Sequence, residues 1–160
     1  MKEIDSKGIY LLPNKFKIIG VLLFVVGIII TIIRFYFGVK PDWLDIKVFA
    51  VYSSFLQTKY FTFITNNILE ELSGLILLVG LVFIAFSKEK TENEIIEQIR
   101  IRSFFYSVYI NILFTVFAFI FIFGLGFVYY LVLNMFVFLL LFIFIFRYNI
   151  YYYKKTKRNN

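Results

Sequence analysis

Four long apolar runs dominate this 160-residue chain, at positions 16–37, 68–86, 104–123 and 127–146. Each is about 19–22 residues, the length a helix needs to cross ~30 Å of hydrocarbon at 1.5 Å per residue. No aqueous core of this size can absorb so much apolar surface. Apolar residues make up 61% of the chain and mean hydropathy is +0.85, against the ~45–50% apolar share of ordinary soluble domains. The predicted fold is therefore an all-α membrane protein, a four-transmembrane-helix bundle in a single membrane domain spanning residues 1–160. Lys15 and Lys17 before the first run resemble the basic flank of a signal peptide, but the bulky Thr31-Ile32-Ile33-Arg34-Phe35 offers no small-residue cleavage site. The first run is read as a retained span.

The charges set the orientation. The net charge is +7, and the basic residues flank the apolar runs, which is a membrane pattern and points away from nucleic acid. The N-terminal segment, the second connection and the C-terminal tail carry thirteen lysines and arginines, including Lys2, Lys7, Lys17, Arg100, Arg147 and Lys154. The other side carries four, Arg34, Lys40, Lys47 and Lys59. The positive-inside rule puts both termini in the cytoplasm. The connection 38–67 then lies outside. Lys47–Tyr52 and Tyr60–Thr65 are rich in β-formers and are separated by a polar break at 53–59. They predict a small β-hairpin-like extracytoplasmic loop on the membrane surface, with a helical excursion as the alternative. Its role is either to bridge two helix ends or to cap the protein as a sensor.

Asn66 or Asn67 is placed to cap the second span, with Glu70 and Glu71 in the first turn, where carboxylates complement the helix dipole. Adjacent acids point about 100° apart on a helix, so the pair is no natural chelate. The second connection is the best-organised polar segment. Thr91 and Glu94 fit a capping box, which predicts a helix from Glu92 running on into the third span as a cytoplasmic extension at 88–103. Ile95, Ile96 and Ile99 form an apolar stripe, and Glu97 and Arg100 an i,i+3 pair on the polar side. Glu92, Glu94, Glu97 and Arg100 form either a solvated helix start or a docking handle for a protein partner.

Ser103, Ser107, Asn111 and Thr115 recur every four residues in the third span, with Ala118 on the same arc. Asn134 is the strongly polar residue deep in the fourth. Counting from the turn at Gly124–Gly126 puts Thr115 and Asn134 at one depth, as neighbours. Small and polar stripes of this kind hold membrane helices together; a hydrated pore lining or a headgroup site is the sharper alternative. Gly20 and Gly27, and Ser73 and Gly80, are each seven apart, which suits left-handed packing at ~20°. The C-terminal Arg147–Lys155 reads as an aromatic belt and basic tail held at anionic headgroups.

The segments Leu12-Pro13-Asn14-Lys15-Phe16-Lys17, Pro41-Asp42-Trp43-Leu44, Phe86-Ser87-Lys88-Glu89-Lys90-Thr91-Glu92-Asn93-Glu94, Ile99-Arg100, Tyr109-Ile110-Asn111 and Asn134-Met135-Phe136 carry a further reading. In their order the chain resembles a family of small four-span inner-membrane proteins from Bacteroidota-type bacteria. The resemblance covers nearly the whole chain and implies an inner-membrane location, with no activity attached.

The chain has no cysteine and no histidine. Thiolate nucleophiles, Cys-type metal sites and Ser–His pairs are thereby excluded. All ten acids lie at helix ends or in connections, so no metal or cofactor site and no enzymatic activity is expected. Two non-enzymatic functions follow. One is an accessory or sensory subunit that docks a protein at its cytoplasmic face. The other is a homo-oligomeric channel or transporter-like protein lined by the polar stripe of the third span.

Overall fold

A computed structural model describes residues 10–53 and 58–159. Four helices, α1 (Lys15–Phe35), α2 (Leu69–Phe86), α3 (Glu94–Phe121) and α4 (Leu125–Asn159), carry the chain, with a two-stranded sheet of β1 (Asp45–Ser53) and β2 (Lys59–Asn67) between α1 and α2. All four helices are long and apolar enough to cross a membrane. Large apolar side chains such as Leu113 (71% exposed) and Phe119 (62% exposed) cover their outer faces. In water each would forfeit about 1.5–3 kcal/mol of transfer free energy; in lipid it is at home. The chain is a multi-pass membrane protein.

The chain divides into two compact units, Leu22–Gly80 and the remainder. In the first, Gly27 is a close-approach site: a Cβ there would meet Leu77 Cγ at 2.8 Å and Leu77 N at 3.1 Å. Its place on the seven-residue spacing with Gly20 is thus used for helix contact. Arg34, in the last turn of α1, is ion-paired with Glu70. After Phe35 the chain turns at Gly38, in the left-handed region at φ 67°, and passes a short 3-10 turn at Asp42–Leu44.

The two strands pair antiparallel from Asp45↔Asn67 to Ser53↔Lys59, so the hairpin forms and the helical excursion does not. Part of the expected polar break, positions 54–57, lies outside the described residues. Cross-strand aromatic pairs fix the register: Phe49 against Phe63 at 5.3 Å and Tyr52 against Tyr60 at 5.4 Å between ring centroids. Phe61 has φ 47°, an uncommon setting for a bulky residue. Asn67 joins hairpin to helix. Its Oδ1 accepts from the Leu69 N–H at 3.3 Å, while its Nδ2 donates to Pro41 O at 2.9 Å and Asp45 Oδ1 at 2.6 Å. Asn66 instead donates to Glu71 at 2.9 Å.

In the second unit α3 and α4 form an antiparallel pair, joined through Gly124 at φ 64°. Phe104 sits edge-on to Phe138 and Phe142, each at 5.7 Å. One expected boundary is corrected. The third helix starts at Glu94, not Glu92, because Asn93 rather than Thr91 caps it: Asn93 Oδ1 accepts from the Ile96 N–H at 2.9 Å. The fourth helix contains the apolar run 127–146 and continues to Asn159, so the basic tail is helical.

Candidate functional site

The most elaborate polar assembly lies where α2 ends and α3 begins. Leu12 lies beside the polar connection like a strand. Its N–H donates to Phe86 O and its carbonyl accepts from the Lys88 N–H, both at 2.9 Å. Asn14 Nδ2 adds a bond to Lys88 O at 2.6 Å. These bonds satisfy backbone groups that the end of α2 would otherwise leave unpaired at the membrane boundary. Ser87, fully buried, turns its hydroxyl back onto Phe83 O.

Two carboxylates organise the charges. Glu89 is ion-paired with Lys17 and lies 3.8 Å from Arg147 of α4. Glu92 accepts from the Glu89 N–H at 2.6 Å, and both its oxygens lie 3.1 Å from Arg100 Nη2. These two demands on its carboxylate accompany its position outside the helix, before the Asn93 cap. Arg100 is 2% exposed. Its Nη1 donates to Ala85 O at 3.1 Å, and its guanidinium lies 4.4 Å from the Phe146 ring centroid, a desolvated cation–π contact. Arg100 is therefore not on an outward polar face, as its spacing to Glu97 suggested. It is an internal tie from α3 to α2, α4 and the connection. Glu94, six residues before Arg100, is exposed, as is Ile95 (47%), while Ile96 is buried.

The polar seam of α3 faces inward. Ser103 and Ser107 are fully buried. Asn149 Nδ2 donates to Ser103 Oγ at 3.0 Å, and Ser107 bonds back to Ser103 O at 2.7 Å. Thr115 and Asn134 are linked through a third residue. Tyr130 stands between them, 3.0 Å from Thr115 Oγ1 and 3.1 Å from Asn134 Oδ1. Thr115 also donates to Asn111 O at 2.8 Å. Two hydroxyl protons thus serve three contacts, and turning the Asn134 amide so that Nδ2 donates to Tyr130 satisfies all three. Asn111 Oδ1 is buried with no hydrogen-bond partner. Tyr130 was missed from sequence because tyrosine is common in this chain and its i,i+4 spacing to Asn134 is the only sign of its role. Glu70 and Glu71 pair with Arg34 and Asn66, which gives them partners beyond the helix dipole. No group of three metal-ligating side chains occurs among the described residues.

No family model, curated protein or solved structure matches the chain.

Proposed function

We propose that the chain is a non-enzymatic accessory or sensory subunit, a four-helix bundle in a bacterial inner membrane with both termini cytoplasmic and the hairpin outside. In this reading it presents the start of α3 to a protein partner. The carrying observation is the way the polar connection is tied down. Arg100, Glu92, Glu89 and Lys17 hold residues 87–93 against the helices, and the first turn of α3 leaves Glu94 and Ile95 exposed beside the buried Ile96. A rigid element bearing an exposed apolar side chain beside acids is what a docking surface requires. The bond between Ser103 and Asn149 sets the two helices in register. Glu94, nine residues before Ser103, then stands about 13 Å further along the axis, beyond the charged level and within reach of an aqueous protein.

Photo-crosslinking from position 95, compared with the lipid-facing position 117, tests the reading. A discrete adduct from position 95, lost in Glu94→Lys, is the expected result. Adducts to lipid alone from both positions would sink it.

One observation favours a second reading. The unpaired Asn111 Oδ1 would accept from a water in a hydrated path along α3 of a homo-oligomer. Conductance of the purified chain in planar bilayers, abolished by Asn111→Leu, would select that reading. Against it stands the complete burial of Ser103 and Ser107 within a single chain.

A further inference from the structure

The hairpin of β1 and β2 carries its bulkiest apolar side chains on its exposed face. Alternate residues of a strand point to opposite faces. One face has Phe49 against Phe63, with Val51 and Phe61 in the next row toward the tip, and all four are more than half exposed. The other face has Val48, Ala50, Thr62 and Ile64, all half-buried. Among the described residues the two strands pack chiefly on each other, and a two-stranded hairpin by itself is marginal in water. Phe61 adds to the demand for cover. Its backbone lies in the left-handed region at φ 47°, a strained setting for a bulky residue, while its ring is largely exposed.

The base of the hairpin selects what covers this face. Asp45 pairs with Asn67, two residues before α2 begins at Leu69, and the adjoining Arg34–Glu70 ion pair joins the ends of α1 and α2. Exposed apolar residues continue from the lipid-facing side of α1 to that base through Phe35, Tyr36, Phe37, Val39 and Trp43. Tryptophan and tyrosine are the side chains that settle at headgroup level. Phe49 and Phe63 lie four residues beyond the base, about 14 Å at 3.4 Å per residue. A headgroup layer is only about 5–7 Å thick, so an upright hairpin lifts both rings into water. Laid along the leaflet, the same face reaches the acyl boundary. The exposed Lys47, one row nearer the base and opposite Thr65, then keeps its ammonium among the phosphates.

We propose that the hairpin face bearing Phe49, Val51, Phe61 and Phe63 is a lipid-binding surface. It lies in the leaflet at the Arg34–Glu70 end, with its rings where headgroups meet acyl chains. The strained backbone at Phe61 is held because it turns one more ring into that layer.

Tryptophan quenching tests this directly, because Trp43 is the single tryptophan of the chain. In a Trp43→Phe background, Phe63→Trp and Thr62→Trp place a reporter on each face of the same strand. The full chain is reconstituted in vesicles of phosphatidylcholine, with or without bromine on the acyl chains. Insertion to the depth of an interfacial element should make bromine quench Phe63→Trp at least about twofold more than Thr62→Trp. Val51→Trp gives a second reporter on the inserted face if Phe63→Trp disturbs the pair with Phe49. Phe61→Asn, which suits a left-handed backbone, should reduce quenching at position 63 without lowering the unfolding temperature in detergent. Equal quenching of the two faces, or none on either, would overturn the proposal. So would a blue shift of Phe63→Trp that grows with protein density without bromine quenching, which would assign the face to a second copy of the chain.

Discussion

Arg100 illustrates how much one buried charge can bind together. Its neighbours on α2, α4 and the polar connection are all arranged around a guanidinium that water barely reaches. Truncating one partner of such a pair strands the other, at a cost of roughly 3–5 kcal/mol. Arg100→Ala should therefore lower stability by about that much in detergent unfolding titrations. Replacing Arg100 and Glu92 together by methionine should recover most of the loss, because the stranded charge is gone. Tyr130 works on a smaller scale. Hydrogen bonds between membrane helices average about 0.6 kcal/mol and reach ~1.7, so Tyr130→Phe should cost in that range. A double-mutant cycle with Thr115→Val will show coupling if Tyr130 links the two helices, and none if each hydroxyl serves only its own helix.

The helix boundaries turn on side chains that compete for the same role. Thr91 and Asn93 both have cap chemistry, and the sequence pattern favoured Thr91 because Glu94 lies three residues on. In the folded chain Glu92 is engaged by Arg100 and by the Glu89 N–H, and the helix begins after it. Asn93→Ala should cost about 1 kcal/mol, whereas Thr91→Ala should stay within about 0.5 kcal/mol. Amide exchange at Ile96 and Glu97 reports which residue holds the first turn. In the other unit, Gly27→Val would drive a side chain into Leu77, whose backbone nitrogen lies 3.1 Å from where a Cβ would sit. Overpacking of this kind typically costs about 1–3 kcal/mol, and thermal unfolding in detergent measures it. The hairpin is legible in advance since its β-formers alternate around a polar break. The pairing of Glu70 with Arg34 is not, because 36 positions separate them in sequence.

Orientation belongs to the whole molecule, and the chain is suited to testing it because it has no native cysteine. In spheroplasts, Thr65→Cys in β2 should react with a membrane-impermeant maleimide, and Gln98→Cys near the start of α3 should react only after lysis. The reverse pattern would invert the topology. With the expected labelling pattern, the Lys17–Arg147 end would lie at the cytoplasmic leaflet.

Apolar length and charge position decide the number of spans, their approximate ends and the expected sidedness, because a bilayer imposes those constraints on the chain locally, one segment at a time. The spacing of Ser103, Ser107, Asn111 and Thr115 likewise marks a packed face, since a single helix repeats it. Side chains that meet only when distant segments pack are another matter. The burial of Arg100, the bridging hydroxyl of Tyr130 and the tie of Glu89 to Lys17 all depend on distances across helices. The sequence carries their chemistry but not their separations, and only the folded arrangement brings them within hydrogen-bonding reach.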